Sequence, residues 1–555
     1  MRFKSVLIFE DLKLKIADEV RSHMPAFADN LIELDSTGRA DFTLKLFRYS
    51  RDPNFKSIAE SLVSAIKSLD FVETCELSGN YLNVRIKTAF ILDLIETSIK
   101  EKAQYPDTFQ DPDRVLVEHT STNPTGPIHV GRTRNSVIGD SLSRLLRRYG
   151  YRVSTQYLVN DTGKQVLGLY LGYLESGRPV MTIQNLLEGY KRVYKQIEEN
   201  KDKEKEIESL IKKYESGDGS IVRDVKSICT VMLDGIRKSL LDLGIKIDDY
   251  VWESGFLKSE EMENIIQKLG EYLKDDNGAK YLETKEGRKI FIRRSDGTSL
   301  YVLRDLAYHL FKSLNYDWLI DVLGEDHKDY VKGLKEILED KIELRSSLSF
   351  VFYSYVSLES GKMSTRSGNV VTLDELVERA TEKALEIVRA KRLDLDESKL
   401  KEISRAVAIS AIRFNIVRIN PEKQLIFRWE EALSFDGDSA PFIMYSYART
   451  TNIIANYTPA NNVQTADDFN TYEKALVFKM YSFPYCLNTC RESLRVDPLA
   501  SYLLELVRLF NDFYNNCRIL GSGDDEPKRI LIVNVYRKII QDASSILGIS
   551  LIDEM

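Results

Sequence analysis

Apolar positions along the chain follow two rhythms, and the places where one gives way to the other divide the protein. Near the N-terminus, Asp41 to Leu46 alternates like a strand, Ile58 to Leu69 repeats at three and four, and Tyr81 to Ile86 alternates again. This predicts a small α+β domain over residues 1–105, closed by the polar stretch Ala103-Gln104-Tyr105-Pro106-Asp107. The pattern then changes: Val115-Leu116-Val117 is a continuous apolar run that fits a buried strand, and Asn123, Pro124, Gly126 and Pro127 break it. A helical pattern through Val137, Ile138, Leu142, Leu145 and Leu146 follows, then a second strand near Arg152 to Leu158. Trp318 to Leu323 and Leu348 to Val356 are further strand runs, so residues 106–394 read as an α/β domain. The charged stretch over about 166–290 is too long for a simple crossover and reads as an insertion, with Glu198 to Glu215 a solvated helix. Tyr250-Val251-Trp252-Glu253-Ser254 and Ser295-Asp296-Gly297-Thr298 mark the return to the sheet. From residue 395 to 555 only the helical rhythm remains. Leu400 to Ile419, Ala440 to Asn456, Tyr472 to Arg495, Leu499 to Asn516 and Lys528 to Leu547 predict an all-α bundle.

Composition narrows the class. With 555 residues, 43% apolar and 29% charged, the chain is expected to be soluble and multidomain. No apolar run approaches the roughly 18 to 20 residues of a membrane span, and Glu10 and Asp11 interrupt anything like a secretory signal. The cytoplasm is the expected compartment. The cysteines, Cys75, Cys229, Cys486, Cys490 and Cys517, are scattered and odd in number, which argues against a disulfide framework. Cys486 and Cys490 share a helical face without further ligands in view, so buried thiols are expected and no protein-held metal. A net charge of −7 does not advertise a nucleic-acid binder, yet it averages over faces and leaves a folded RNA partner open.

Three stretches carry chemistry. The strand, turn and helix over Val115 to Asp140 place unpaired helix N–H groups beyond a strand's carboxyl end, where a nucleotide phosphate binds in open α/β sheets. Its turn, Thr125-Gly126-Pro127-Ile128-His129-Val130-Gly131, is neither a Walker loop nor G-x-G-x-x-G. Gly361-Lys362-Met363-Ser364-Thr365-Arg366-Ser367-Gly368-Asn369 sets cations and hydroxyls between glycines and reads as a mobile loop able to bring charge onto phosphates. In the bundle, Phe435, Phe442, Tyr445 and Tyr447 cluster with Arg449, either as core or as faces for unpaired bases.

These stretches resemble a known set. The turn around His129 resembles the HIGH signature of class I aminoacyl-tRNA synthetases, whose catalytic domain is Rossmann-like, and the Lys362 loop resembles their KMSK loop. Val117-Glu118-His119-Thr120-Ser121-Thr122-Asn123-Pro124-Thr125-Gly126-Pro127 is similar to the archaeal-type strand and turn of arginyl-tRNA synthetases. Tyr301-Val302-Leu303-Arg304-Asp305 resembles their Y-x-x-R-D helix. Ser439 to Arg449 and the closing Leu547-Gly548-Ile549 resemble their anticodon-binding bundle, and residues 1–105 their tRNA-contacting N-terminal extension. The resemblance covers nearly the whole chain.

It implies ATP-dependent ligation of L-arginine to its tRNA through arginyl-adenylate, with Mg²⁺, in a monomer that takes neither DNA nor membrane. His129, Arg132, Lys362 and Arg366 are then the catalytic group. Thr125, Gly126, Pro127, Gly131, His327, Met363 and Ser364 join His129 and Lys362 around ATP. Glu118, Asn123, Tyr301, Asp305 and Asp326 are the expected arginine site, with the three acids set at strand ends of one sheet, because a planar cation with five donors is best matched by fixed carboxylates. Phe442, Tyr445 and Arg449 are expected to meet the tRNA. His119 and His309 are expected to be packing residues. Two positions depart from the pattern: Arg132 stands for the second histidine of HIGH and Thr365 for the second lysine of KMSK, with Arg366 one place later. They leave open which arginine meets which phosphate. The competing readings are a class I synthetase for lysine, glutamine or cysteine, and a tRNA-binding relative without activity.

Overall fold

The computed structural model describes residues 8–28, 31–34, 40–87, 90, 113–199, 202–257, 259–295, 300–358, 371–458 and 469–554. The N-terminal unit is an antiparallel sheet of β1 (Ile32–Leu34), β2 (Phe42–Lys45), β3 (Val72–Ser78) and β4 (Tyr81–Ile86), in the order β1-β2-β4-β3. The helices Ile8–His23 and Phe55–Lys67 accompany it, and the second buries Ala59, Leu62 and Ile66 from successive turns of one face.

The centre of the molecule is a five-stranded parallel sheet of β5 (Arg114–Glu118), β6 (Arg152–Val159), β7 (Asp249–Trp252), β11 (Trp318–Gly324) and β12 (Ser347–Tyr353), ordered β12-β11-β5-β6-β7. Val115, Leu116 and Val117 are all buried, because a parallel strand covered on both faces needs apolar side chains on each. From β5 the chain winds outward through β6 to β7, then returns to build β11 and β12 on the other side. The crevice between β5 and β11 is therefore the switch point, where the carboxyl ends of a doubly wound sheet bind ligands.

The stretch expected as one insertion over 166–290 is divided by β7, which pairs with β6 in the central sheet. The first part, helices Gly163–Glu175, Ile183–Glu199, Asp202–Ser216 and Gly219–Asp242, is the β6–β7 crossover after all, with its own apolar core around Leu167, Leu186 and Val225. Surface charge on these helices hid that core. The second part is the helix Glu260–Leu269 and an antiparallel sheet of β8 (Lys274–Asp276), β9 (Ala279–Glu283) and β10 (Lys289–Arg293). The helix Tyr301–Ser313 then leads back into β11.

The helix Leu373–Lys391, started by a capping box of Thr372 and Glu375, enters the bundle of Glu397–Val417, Ala440–Ala455, Thr471–Tyr481, Phe483–Ser493, Asp497–Asn516 and Glu526–Leu547. The helix expected from Tyr472 to Arg495 is two, since Pro484 cannot donate within a helix and starts a new one instead. Bundle and sheet share one apolar core, and the short parallel pair of β13 (Val356–Leu358) with β14 (Leu425–Phe427) joins them. Arg134 adds a polar joint: its buried guanidinium donates to the carbonyls of Ser354, Lys423 and Asn420 at 2.8, 2.7 and 3.0 Å. Burial holds its pKa down, to about 10. Among the described residues no helix is long and apolar enough to cross a membrane.

Candidate active site

Strand β5 ends at Glu118, and the backbone then turns through Thr120 and Ser121 at φ of 72° and 30°. Positive φ is costly for a β-branched residue, so the turn needs support from outside. The next helix, Val130–Arg148, supplies it: Asn135 Oδ1 accepts from the Thr120 N–H at 2.6 Å, and Thr120 Oγ1 bonds Ser136 Oγ at 2.9 Å. Asn135 also donates to the Val322 carbonyl of β11 at 2.8 Å, tying turn, helix and both switch-point strands together. Helix and strand end pack closely, since a Cβ on Gly139 would fall 2.3 Å from the His119 ring. His119 is thus a packing residue as expected, and burial lowers its pKa to about 4.

His129 is the N-cap of that helix. Burial, with help from Arg132, lowers its pKa to about 4, and Nδ1 has no partner. At neutral pH the ring is uncharged, so it offers a hydrogen bond at the helix's positive end and leaves cationic work to others. Arg132, one turn on, is exposed. A Cβ on Gly131 would stand 3.1 Å from the His129 ring, so this glycine makes room for the imidazole. Lys362, Met363, Ser364 and Arg366 lie outside the described residues. The first residues after them do not: Val130 N–H donates to the Val371 carbonyl at 3.1 Å and Leu373 N–H to the Ile128 carbonyl at 2.9 Å, with His129 and Thr372 bridged. The chain thus returns from the Lys362 stretch onto the HIGH-like turn.

The expected arginine-site residues gather around the switch point, though not all at strand ends. Glu118 is at the end of β5, and Asp326 follows β11 in an exposed turn with His327, their side chains 3.8 Å apart. Asp305 sits instead on the helix Tyr301–Ser313. Its carboxylate accepts from the Tyr330 hydroxyl, and burial raises its pKa even though that hydrogen bond lowers it. Among the described residues it makes no ion pair. Tyr301 is 56% exposed and packs against Tyr330 with ring centroids 5.4 Å apart and planes tilted by 45°, forming an aromatic wall beside Asp305. Asn123 donates to Gln165 at 2.6 Å, Thr125 N–H bonds the Asn123 carbonyl at 2.8 Å, and Gly126 faces Leu187 of the crossover. Pro127 is exposed at the foot of the helix.

Several residues that sequence reading passed over belong here. Glu253, buried beside the site, accepts from Thr162 at 2.7 Å and pairs with Arg304 at 2.9 Å. His309 is a bridge rather than a packing residue, with Nδ1 at 2.7 Å from the Asp305 carbonyl and Nε2 at 2.9 Å from Asp321. Lys312, fully buried, donates to Glu118 at 2.9 Å and to Asp321 at 2.8 Å. The signals were present: a lysine on the apolar face of one helix, and an aspartate inside the apolar run of β11.

In the bundle, Phe435 and Tyr447 are core, whereas Tyr445 is exposed and Phe442 half-buried. The Arg449 guanidinium lies over the rings of Tyr445 at 4.5 Å and Tyr514 at 5.1 Å.

Residues 94–429 match the family described as tRNA synthetases class I (R), catalytic domain, and residues 443–555 match the DALR anticodon binding domain. The chain is 44% identical to the arginine–tRNA ligase of Thermoplasma acidophilum over 99% of its own length and 100% of that protein's. It is 35% identical to the one from Methanocaldococcus jannaschii, covering 94% and 95%. Its fold superimposes on Thermus thermophilus arginyl-tRNA synthetase with a TM-score of 0.82 at 24% identity, covering 98% and 100%. A HIGH-like turn at the switch point, a helical bundle behind it and matches of this length lead to one conclusion: the chain belongs to the arginine-type class I tRNA synthetases.

Proposed function

We infer that the protein ligates L-arginine to tRNA at the expense of ATP. The arginine carboxylate attacks the α-phosphorus, the bond to pyrophosphate breaks, and a ribose hydroxyl of the tRNA then takes the arginyl group from the adenylate and releases AMP. The nucleophile of the first step is already an anion, so alignment and charge stabilisation are the protein's work. His129 and the helix N-terminus behind it, with Thr125, Gly126, Pro127 and Gly131, bind the nucleotide. Arg132, Lys362 and Arg366 supply positive charge to the phosphates, and Met363, Ser364 and His327 complete the ATP site. Mg²⁺ enters with ATP: among the described residues no three His, Cys, Asp or Glu side chains converge to hold a metal, and the phosphates are its natural ligands.

The observation that carries the reading is Asp305. A half-buried carboxyl whose pKa desolvation raises, anchored by one tyrosine hydroxyl and, among the described residues, in no ion pair although Lys312 and Arg304 act on it from a distance, has room for a cationic partner. A guanidinium completes it, flanked by the Tyr301 and Tyr330 rings and reached by Glu118, Asn123 and Asp326. Phe442, Tyr445 and Arg449 hold unpaired tRNA bases. The protein acts as a monomer and takes no DNA.

Aminoacylation with each of the twenty amino acids and total tRNA tests this. Arginine is the expected product, and faster charging of lysine, glutamine or cysteine would overturn it.

A further inference from the structure

Glu118 and Asp321 are register partners on the adjacent parallel strands β5 and β11. In-register residues of parallel neighbours project from the same face, so this pairing sets two carboxylates side by side at the switch point, an arrangement that is destabilising if left alone. The helix Tyr301–Ser313 answers with Lys312, whose Nζ reaches Glu118 Oε2 at 2.9 Å and the two oxygens of Asp321 at 2.8 and 3.1 Å. Its ammonium also rests over the Tyr308 ring at 4.5 Å, and that tyrosine's hydroxyl donates to Gln156 at 2.7 Å. Burial works against the Lys312 charge, but the two carboxylates outweigh it and raise the pKa. The second oxygen of Glu118 accepts from Ser121 at 3.0 Å, on the strained turn. On the other side, Asp321 meets His309, which reaches the Asp305 carbonyl. A continuous chain, buried at its centre, therefore runs from the Asp305 backbone carbonyl through His309, Asp321, Lys312 and Glu118 to Ser121.

An apolar group of the same volume stabilises an interior about as well as a buried ion pair, so stability alone does not account for these charges. Their place does, since the chain links the two acids assigned to arginine above. We propose that Lys312 is a positioning residue for arginine recognition, fixing the charge and direction of the Glu118 carboxylate by standing between it and Asp321. Lys312 itself does not touch the substrate. Without it Glu118 loses the ammonium that anchors it: opposed to Asp321 it shares a proton, and with that charge also removed it still has nothing to fix its direction toward the substrate.

The proposal rests on the reading of Glu118 as an arginine contact, and four variants separate the two. Lys312→Met keeps the volume without the charge, and Asp321→Asn with Lys312→Met also removes one of the opposed carboxylates, which protects the fold. Aminoacylation kinetics with arginine and ATP varied separately should show the arginine KM raised about tenfold or more in both while the ATP KM stays within about twofold. In a Glu118→Gln background the Lys312→Met change should add little, because coupled residues are not additive. An unchanged arginine KM in either folded variant overturns the proposal, as does a parallel rise in both KM values. If Glu118→Gln alone leaves the arginine KM untouched, the assignment of Glu118 fails, and the proposal with it.

Discussion

Among the described residues, two cations lie 4.5 Å from a tyrosine ring, and their surroundings differ in almost every other respect. Lys312 over Tyr308 is sealed inside the catalytic domain with two carboxylates on its ammonium. Arg449 over Tyr445 sits at the bundle surface, held by Asn511 at 3.1 Å, and among the described residues no carboxylate pairs with it. The first stack has its counter-charge and is complete. The second presents an aromatic face and an unspent positive charge to solvent, which is what a stacked, phosphate-bearing ligand requires. The same contact thus marks internal scaffolding in one place and an open surface in the other, and the difference is whether the structure itself supplies the neutralising charge.

Stability should separate the two most widely. Lys312→Ala leaves Glu118 and Asp321 opposed and is expected to cost about 3–5 kcal/mol in urea unfolding, against less than about 1 kcal/mol for Arg449→Ala. Equal losses would erase the distinction. Acid should also act on the buried side. His119, neutral in the fold with its pKa lowered to about 4, keeps its full contribution above the ordinary value near 6.5 and loses about 3 kcal/mol as pH falls from there to about 4, where the folded state also takes the proton. His119→Gln, titrated beside the parent protein, should show a shallower acid limb over that interval. For the same reason the pH profile of activity should carry no inflection near 6.5 from His129.

RNA should reverse the ranking. Arg449→Ala is expected to weaken tRNA binding by about 1–3 kcal/mol and to reduce the salt slope by about one counterion, whereas Lys312→Met leaves tRNA affinity unchanged. A filter-binding series at several salt concentrations checks both. Smallest of all, Tyr445→Phe keeps the ring and should alter tRNA affinity by less than about 0.5 kcal/mol, while Tyr445→Leu should approach the arginine variant.

The open surface was legible in the sequence and the sealed one was not. Tyr445 and Arg449 lie one helical turn apart, so their contact follows from local spacing. The partners of Lys312 are brought by β5 and β11, some 194 and 9 residues away in sequence, and their juxtaposition depends on strand register, which no local pattern carries. The fold divided in the same way. Apolar rhythm gave the parallel sheet and the bundle, but it could not show that β7 rejoins β6 across a charged helical crossover, because surface charge and crossover topology are independent. Asp305 was assigned to the site through its motif and then misplaced at a strand end; the helix beginning at Tyr301 carries it.

Arg134 holds a mechanical joint of the molecule. Its three carbonyl acceptors come from just past the end of β12 and from the loop between the helix Glu397–Val417 and β14, and among the described residues no carboxylate is hydrogen-bonded to its guanidinium. Parting those segments would leave a buried cation with fewer acceptors, at a cost of about several kcal/mol. The junction therefore behaves as a rivet: bundle, sheet end and the helix that begins at Val130 turn as one body here, and any hinge between the RNA-binding and nucleotide-binding ends of the molecule has to lie elsewhere.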